Sequence, residues 1–288
     1  MLYILGSKDY EDQNQNYGDC IVFIDGRTAI IYDCGSKDHA KHAVRLLDEN
    51  NIDKAIVVLS HNDDDHFMGI NYLIEKGRVE KLFTILLLKY KKELLAEIDD
   101  GRRNLDSIGE AITKMYDNIA SLSQKVVLKD VYADIEEFPI QMKRIGPDFK
   151  YMIKAAAKGL DSREGNTIDK ETVTNAASVQ VQLSMDSKKI LLTGDCTPAA
   201  IPSTVNLSSY DFIQLPHHGK PSLAEEVFER AGDNYNIIYI VSDNTGNTNG
   251  GSDGLKVKGH RVKNTQNGDI VLSSQSANPN YTDKTLRK

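Results

Sequence analysis

The chain has 288 residues, of which 40% are hydrophobic, so it can bury a substantial core as one large domain or two small ones. Its net charge of −7 gives no overall basic field of the kind that attracts nucleic acid, although basic residues such as Lys256, Lys258 and Arg261 gather in the carboxyl-terminal part. The longest apolar run, near residues 82–88, is far too short to span a bilayer.

The cysteines and the amino-terminal residues indicate a compartment. Cys20, Cys34 and Cys196 are odd in number and irregularly spaced, which is typical of reduced thiols. The first residues have neither the basic segment nor the long apolar segment of a signal peptide. We therefore expect a soluble, cytoplasmic protein that does not associate with a membrane.

The first 90 residues alternate between strand and helix patterns. An Asp25-Gly26-Arg27 turn joins the second and third predicted strands as a hairpin. The apolar runs predicted as strands are 2–5, 20–24, 28–32, 55–59 and 81–88. Apolar residues at helical spacing predict helices over 40–50 and 69–76.

Residues 89–125 differ in kind from the segments around them. They are charged and poor in β-branched residues, and their apolar positions have helical spacing. We predict two helices that break near Asp99-Asp100-Gly101. We expect them to form a helical insertion beside the site that acts as a substrate wall or as a surface for a protein partner, with a plain scaffold insertion as the alternative.

The remainder returns to strands, with a short helix starting at Pro147 and an exposed polar loop over 162–172. The last two predicted strands pair with each other as a hairpin around Gln266-Asn267-Gly268. The predicted strands are 126–128, 140–145, 178–185, 189–193, 211–215, 237–241, 261–264 and 269–273. The whole pattern predicts one layered α/β domain over residues 1–288.

The strand predicted at 55–59 runs into a cluster of potential metal ligands. His61, Asp63, Asp65 and His66 lie within six positions, and carboxylates with neutral imidazoles are the ligands of Zn, Mn and Fe sites. A calcium-binding EF-hand needs Gly at position six and Glu at position twelve, and counting from Asp63 or Asp65 finds neither. A solvated acidic turn is the remaining structural explanation.

Two later strand ends supply further candidates, namely Asp195, His217 and His218. In layered α/β folds, functional residues gather at the ends of strands. We therefore expect these three residues to meet the earlier cluster, which makes a solvated turn the weaker explanation.

The order and spacing of these motifs resemble the metallo-β-lactamase fold superfamily. They are more closely similar to the soluble metallo-β-lactamase-like domain of the ComEC competence proteins, and the resemblance covers most of the chain. The first matching segment lacks the first glycine of the family's Gly-x-Gly-Asp opening. The matching segments are Asn16-Tyr17-Gly18-Asp19-Cys20, Ile31-Tyr32-Asp33-Cys34-Gly35, Leu59-Ser60-His61-Asn62-Asp63-Asp64-Asp65-His66, Leu191-Leu192-Thr193-Gly194-Asp195 and Leu215-Pro216-His217-His218-Gly219.

The resemblance implies an αββα sandwich with two metal ions at one edge. One ion would take His61 and Asp63, and the other Asp65, His66 and a late histidine, with Asp195 bridging both. The late histidine of the family often follows a Pro-x pair, which selects His218. His217 would then lie behind the ligands or contact substrate, and Asp33 would orient the metal-binding loop without being a ligand.

The chain departs from the family at the first metal site. Many relatives carry a histidine just before the strand predicted at 178–185, whereas this chain has none between His66 and His217. Asn175 is the nearest polar substitute, which makes the site richer in oxygen. Oxygen-rich sites favour Mn or Mg over Zn. We therefore expect one or two divalent ions, with Mn favoured and Zn or Mg as alternatives.

Paired metal ions suit the hydrolysis of phosphodiesters. The resemblance implies a metal-dependent nuclease acting on DNA, in which a metal-bridging hydroxide held by Asp195 attacks. In this hypothesis Asp65, Asp195 and His217 are catalytic, and His217 protonates the leaving oxygen or holds a phosphate. Two alternatives stay open: a small-molecule hydrolase of the phosphoesterase, lactonase or lactamase type, and a non-catalytic binding module with a decayed metal site.

Other polar residues are interpreted as structural. His39 and His42 lie three positions apart on a predicted helix, which indicates a solvated helix face. His260 is expected to be structural. Asp243 and Asn244 follow a strand and are expected to form a turn.

Overall fold

The computed structural model describes residues 1–11, 17–122, 124–161, 163–242 and 251–277. Asn16, Asp243 and Asn244, which were named from the sequence, lie outside these ranges. The described strands are β1 (Leu2–Ile4), β2 (Ile21–Asp25), β3 (Thr28–Tyr32), β4 (Ala55–Val58), β5 (Val79–Thr84), β6 (Val127–Asp130), β7 (Met142–Gly146), β8 (Thr167–Ile168), β9 (Glu171–Thr172), β10 (Gln180–Met185), β11 (Lys188–Leu192), β12 (Phe212–Gln214), β13 (Ile238–Val241), β14 (Arg261–Asn264) and β15 (Ile270–Leu272).

Helices cover the strands on both sides, and short 3-10 turns connect several of these elements. The described α-helices are α1 (Lys37–Glu49), α2 (Asp64–Glu75), α3 (Lys91–Ile98), α4 (Leu105–Met115), α5 (Asp117–Leu122), α6 (Phe149–Leu160), α7 (Val173–Ala176), α8 (Pro216–Gly219) and α9 (Pro221–Ala231). No helix within the described ranges combines the length and apolar character that crossing a membrane requires.

Within the described ranges, the strands form two large sheets. The first has the order β15-β1-β2-β3-β4-β5-β6, and the second has the order β14-β13-β12-β11-β10-β7. The strands β3, β4, β5 and β6 run parallel in the first sheet, as do β11, β12, β13 and β14 in the second. Parallel neighbours place their carboxyl ends at one edge, which is where the candidate ligands follow.

Alternation along the strands explains the layers, because successive side chains of a strand point to opposite faces. In β2, Ile21 and Phe23 enter the core between the two sheets, whereas Val22 and Ile24 face the core under α1 and α2. In β13, Ile238 belongs to the core between the sheets, while its neighbours face the core beside α9. The result is an αββα sandwich, so the predicted layered α/β fold is confirmed.

The carboxyl-terminal hairpin prediction was wrong. Residues 261–264 and 269–273 do contain strands, but β14 pairs with β13 in the second sheet and β15 pairs with β1 in the first. The turn signal between them therefore marks a crossing from one sheet to the other. A short apolar run indicates that a strand exists, but it does not indicate which neighbouring strand pairs with it.

Helix α2 starts earlier than predicted, at Asp64 rather than near Gly69. Asp63 is the N-cap residue, and Asp64 and Asp65 lie in the first turn. Acidic residues are favourable there because the helix dipole is positive at its amino end. The metal-type cluster therefore spans a strand end and a helix start, which fixes its side chains more rigidly than a loop would.

The insertion at 89–125 contains α3, α4 and α5 rather than two helices. It packs beside the cluster: Asn118 Nδ2 donates to the Asn62 carbonyl at 3.2 Å, and Asn62 Nδ2 donates to the Met115 carbonyl at 3.3 Å. Among the described residues, none that lines the large cavity described below comes from 89–125. The prediction of a substrate wall was therefore wrong for that cavity, while a partner surface stays a prediction.

Candidate metal centre

The candidate ligands come from three strand ends of the two sheets. His61 follows β4 and precedes α2, which carries Asp65 and His66; Asp195 follows β11; His217 and His218 follow β12. The structure therefore brings residues that are up to 157 positions apart into one place, as the spacing of the motifs predicted.

Close backbone packing holds the start of α2 against the loop before β2. The backbone nitrogen of Asp19 donates to the carbonyl of Asp65 at 3.0 Å. Gly18 has φ of +67°, and a Cβ built there would lie 1.7 Å from the same carbonyl oxygen. Only glycine fits this approach, because any other side chain would push Asp65 away.

Three imidazole Nε2 atoms and two carboxylates face one another. His66 Nε2 lies 3.3 Å from Asp195 Oδ1, and His218 Nε2 lies 3.2 Å from Asp65 Oδ2 and 3.9 Å from Asp195 Oδ2. His61, His66 and Asp195 form one group with ligand atoms within 4.8 Å of one another, and Asp65, His66 and His218 form a second. The second group coincides with the ligand set that the resemblance implied for one ion.

Each of these histidines is held by its other ring nitrogen. His66 Nδ1 donates to Asp33 Oδ2 at 2.8 Å, and His218 Nδ1 lies 3.1 Å from Asp19 Oδ1 and 2.8 Å from the Ser242 carbonyl. Carboxylates and carbonyls behind a histidine fix its orientation and leave Nε2 for a metal. Asp33 therefore occupies the orienting place that was predicted for it.

Two serine hydroxyls hold His61 in the same way. Its Nδ1 lies 2.9 Å from Ser60 Oγ and 3.2 Å from Ser178 Oγ, while Ser60 Oγ donates to Asp33 Oδ2 at 2.6 Å. Since the Ser60 hydrogen is directed to Asp33, the His61 Nδ1–H donates to Ser60 Oγ and Nε2 carries the lone pair. That tautomer presents a metal-binding atom to the centre.

The chemistry of the buried atoms fits a divalent ion. His61 Nε2, His66 Nε2 and Asp195 Oδ1 are buried and have no hydrogen-bond partner among the described residues. Buried polar atoms without partners are costly and call for an explanation. Imidazole nitrogen and carboxylate oxygen directed at a common point are the ligands that Zn and Mn take.

Burial and neighbouring carboxylates shift the pKa values of the histidines in the centre. Burial lowers the pKa of His61 to about 3, so its imidazole is neutral. Burial also opposes the charged form of His66, but Asp195 and Asp33 outweigh it and raise the pKa of His66 well above its usual range. An ion bound at His66 Nε2 would take the place of a proton there.

Asp63 is the least enclosed candidate. Its Oδ2 lies 3.7 Å from His61 Nε2, and its side chain is 45% exposed. It belongs to neither of the tight groups described above. The structure thus places it beside His61, as the resemblance implied, but at the open side of the centre.

His217 and His218 differ in which carboxylates their side chains approach. Both have positive φ, 50° and 54°, which turns two adjacent side chains towards the centre at backbone angles that residues other than glycine seldom adopt. His217 Nε2 lies 3.8 Å from Asp195 Oδ2, whereas His218 also approaches Asp65. The geometry therefore favours His218 as the ligand and leaves His217 at the rim.

A buried carboxylate holds His217. Glu171 Oε2 accepts from His217 Nδ1 at 3.0 Å, and Glu171 Oε1 accepts a short hydrogen bond from Lys220 Nζ. The prediction of an exposed loop over 162–172 was wrong at this point, because the loop contains the β8–β9 hairpin and Glu171 is buried. A single Glu in a polar segment gives no sequence signal for a contact 46 residues away.

Asn175 lies in α7 and lines the cavity together with Asp195. Its Oδ1 accepts from Thr172 Oγ1 at 2.7 Å, which uses one of the two lone pairs of the amide oxygen. The residue predicted as a substitute for the missing histidine is therefore near the centre, with one side of its oxygen already engaged.

An open cavity of about 860 Å³ lies over the centre. Five of the described lining residues are acidic, and Lys37 is the one lysine or arginine among them. The lining residues are Gly35, Ser36, Lys37, Asp63, Asp64, Asp65, Met68, Asn71, Tyr72, Glu75, Asn175, Asp195 and His217. An anionic substrate would be repelled here unless bound cations offset the acidic charge.

Two histidines outside the centre are structural. His39 is buried against Tyr10 and Tyr17, so the predicted solvated face was wrong for it. His260 stacks against Phe228 and Tyr235, which agrees with the structural role predicted for it. Neither belongs to the groups of potential ligands.

Comparisons with known proteins agree with this geometry. Residues 14–141 match the family model described as the metallo-beta-lactamase superfamily. No curated protein matches the chain by sequence.

Three of the similar solved structures share 10–12% identity with the chain. They include a diphosphatase from the PhnP family (10% identity, covering 95% of this chain and 98% of that one, TM-score 0.47). Human tRNase Z, short form, has 11% identity, covers 83% and 92%, and has a TM-score of 0.42. Zn(2+)-bound PqqB from Methylobacterium extorquens has 12% identity, covers 94% and 100%, and has a TM-score of 0.46. The matched residues 14–141 are less than half of the chain, and they carry the first part of an αββα fold like that of the metallo-β-lactamase superfamily.

Proposed function

We propose that this protein is a metal-dependent phosphodiesterase that cleaves DNA. The observation that carries the proposal is the convergence of His61, His66 and Asp195 atoms that are buried and lack hydrogen-bond partners, at the floor of an open cavity. The resemblance to the metallo-β-lactamase-like domain of ComEC proteins supports DNA as the substrate. When bound, a pair of divalent ions would activate water and stabilise charge on the phosphoryl oxygens.

The residues of this chain have separate tasks in the proposed reaction. Asp195 lies beside His66, Asp65 lies beside His218, and the buried Asp33 keeps His66 oriented. His217 lies at the cavity with Nε2 directed at Asp195. From there it can donate a hydrogen bond to a phosphate or a proton to the leaving oxygen.

A metal analysis followed by a hydrolysis assay tests the proposal. Purified protein is expected to retain one or two divalent ions, and Mn is expected to support cleavage of linear DNA and of bis(p-nitrophenyl) phosphate. Hydrolysis of lactones or β-lactams without phosphodiester cleavage would instead favour the small-molecule alternative. Protein that neither holds metal nor turns over any of these substrates would indicate a binding module.

Replacing Glu171 by glutamine is expected to lower kcat by about 10- to 100-fold, the usual cost of losing a partner that orients a residue at a metal centre. The amide keeps the shape of Glu171 but removes the negative charge that His217 and Lys220 share. KM for bis(p-nitrophenyl) phosphate should change less than kcat. Glu226→Gln is the matched control, because Glu226 pairs with Lys170 at the surface; an equal loss in both variants would contradict the role of Glu171.

A further inference from the structure

Two lysines and a tyrosine form a cationic group at the rim of the cavity. Lys37 Nζ lies 5.6 Å from the centroid of the Tyr72 ring, and Lys76 Nζ lies 5.4 Å from it. Both lysines are exposed, and neither ammonium lies within 4.0 Å of a carboxylate in the part of the chain that the structure describes. The rim therefore carries two positive charges that no described carboxylate neutralises.

Helix packing places this group beside the centre. A Cβ at Gly69 would lie 2.2 Å from the Ser36 carbonyl, so the missing side chain lets α2 approach the start of α1. Tyr72 follows Gly69 by one helical turn and Lys37 follows Ser36, so the same contact brings the ring and the ammonium together. The pairing thus depends on rigid elements rather than on a loop.

The same face of α2 leads from the centre to the rim. Asp65, Tyr72 and Lys76 are spaced by seven and four residues, which keeps them on one side of a helix. Seven residues span about 10 Å, the length of roughly three nucleotides at about 3.4 Å per phosphate. Between them lies Met68, which lines the cavity and is 52% exposed.

We propose that Lys37 and Lys76, held by Tyr72, bind a second phosphate of a nucleic-acid strand whose cleaved phosphate lies at the metal centre. This inference rests on the proposed function and deepens it, because it makes the substrate a strand with several phosphates rather than a compound with one. Met68 gives an apolar contact for the base or sugar between the two phosphates. The acidic side chains Asp64 and Glu75 on the same cavity disfavour phosphates elsewhere on its wall.

The test compares a substrate with one phosphate and a probe with many. The variant Lys37→Ala/Lys76→Ala is assayed on bis(p-nitrophenyl) phosphate and, by fluorescence anisotropy, for binding of a labelled single-stranded oligonucleotide of about 12 nucleotides with phosphorothioate linkages. We expect Kd for the oligonucleotide to rise about tenfold, as when two exposed charge contacts are lost. The slope of log Kd against log salt should fall by about 1.4, or about 0.7 for each contact. The rate on bis(p-nitrophenyl) phosphate should change much less than the Kd for the oligonucleotide.

Lys54→Ala is the matched control, because Lys54 is exposed at the opposite end of β4 from the centre. It should leave Kd and the salt slope unchanged. Equal Kd values for the wild type and the double variant, or the same loss in Lys54→Ala, would overturn the inference. An equal loss on bis(p-nitrophenyl) phosphate would also overturn it, since that substrate has no second phosphate.

The two proposals fail in different ways. If the wild type hydrolyses neither linear DNA nor bis(p-nitrophenyl) phosphate, the proposed function is wrong. The anisotropy measurement still decides whether the lysines bind a strand. If the wild type hydrolyses bis(p-nitrophenyl) phosphate but the lysine variant binds the oligonucleotide as well as the wild type does, only the inference about the rim is wrong.

Discussion

Replacing Asp195 or Asp65 by alanine is expected to lower phosphodiester hydrolysis by more than about 100-fold, because losing even an outer partner of a metal ligand costs about 10- to 100-fold. Asp195 lies 3.3 Å from His66 Nε2 and 3.9 Å from His218 Nε2, so its loss removes a carboxylate that faces candidate ligands of both groups. Neither side chain belongs to the apolar cores, so far-UV circular dichroism should still show a folded protein. Initial rates and metal content of the purified variants are the measurements.

Asp64→Ala is the matched control for Asp65→Ala. The two residues are adjacent in the first turn of α2, but Asp64 is exposed and belongs to no group of potential ligands. We expect its rate to stay within a few-fold of the wild type. Wild-type rates in both Asp65→Ala and Asp195→Ala would show that the reaction does not use this centre.

Removal of bound ions by a chelator is expected to abolish hydrolysis and to lower Tm. An ion present at about 1,000 times its Kd stabilises the folded state by about 4 kcal/mol, and that contribution is lost with the ion. Restored activity should be higher with Mn than with Zn, because Asp63, Asp65 and Asp195 make the centre rich in oxygen. Rates and Tm measured after adding back Mn, Mg or Zn decide the order; a maximum with Zn would contradict it.

Asn175→His should tighten Zn at the His61 side of the centre, because imidazole binds Zn better than an amide oxygen does. The change also removes the hydrogen bond that Thr172 donates to Asn175. Asn236→His is the matched control, since Asn236 is exposed and precedes β13 at the end away from the centre. In Zn titrations, Asn175→His should bind Zn more tightly than Asn236→His does. Equal Zn affinities of the two variants would mean that Asn175 does not reach the ligand position.

Part of the centre could be predicted from the sequence because it depends on local patterns. His61, Asp63, Asp65 and His66 are close in the chain and follow an apolar run, so their meeting needs no knowledge of the tertiary structure. Asp195 is distant from these residues in the chain. Predicting that it joins them required the further argument that parallel strands end at one edge of a sheet.

Two residues that orient the centre, Asp19 and Glu171, could not be assigned that role from the sequence, whereas Asp33 could be, through the resemblance. Asp19 holds His218 from 199 positions away, and Glu171 holds His217 from 46 positions away. Asp19 had a signal in the Gly18-Asp19-Cys20 segment that resembles the family opening, although its contact was not foreseen. Glu171 had none, because one acidic residue in a polar loop is ordinary.

The sequence by itself determined the layers, since the alternation of apolar residues in strands such as β2 and β13 fixes which side chains are buried on each face. It also determined which ligands lie at strand ends. Only the tertiary structure decided that β14 and β15 belong to different sheets, because strand pairing depends on long-range packing that a short apolar run does not encode. The same holds for the group of Lys37, Tyr72 and Lys76, which exists because two helices approach closely at Gly69.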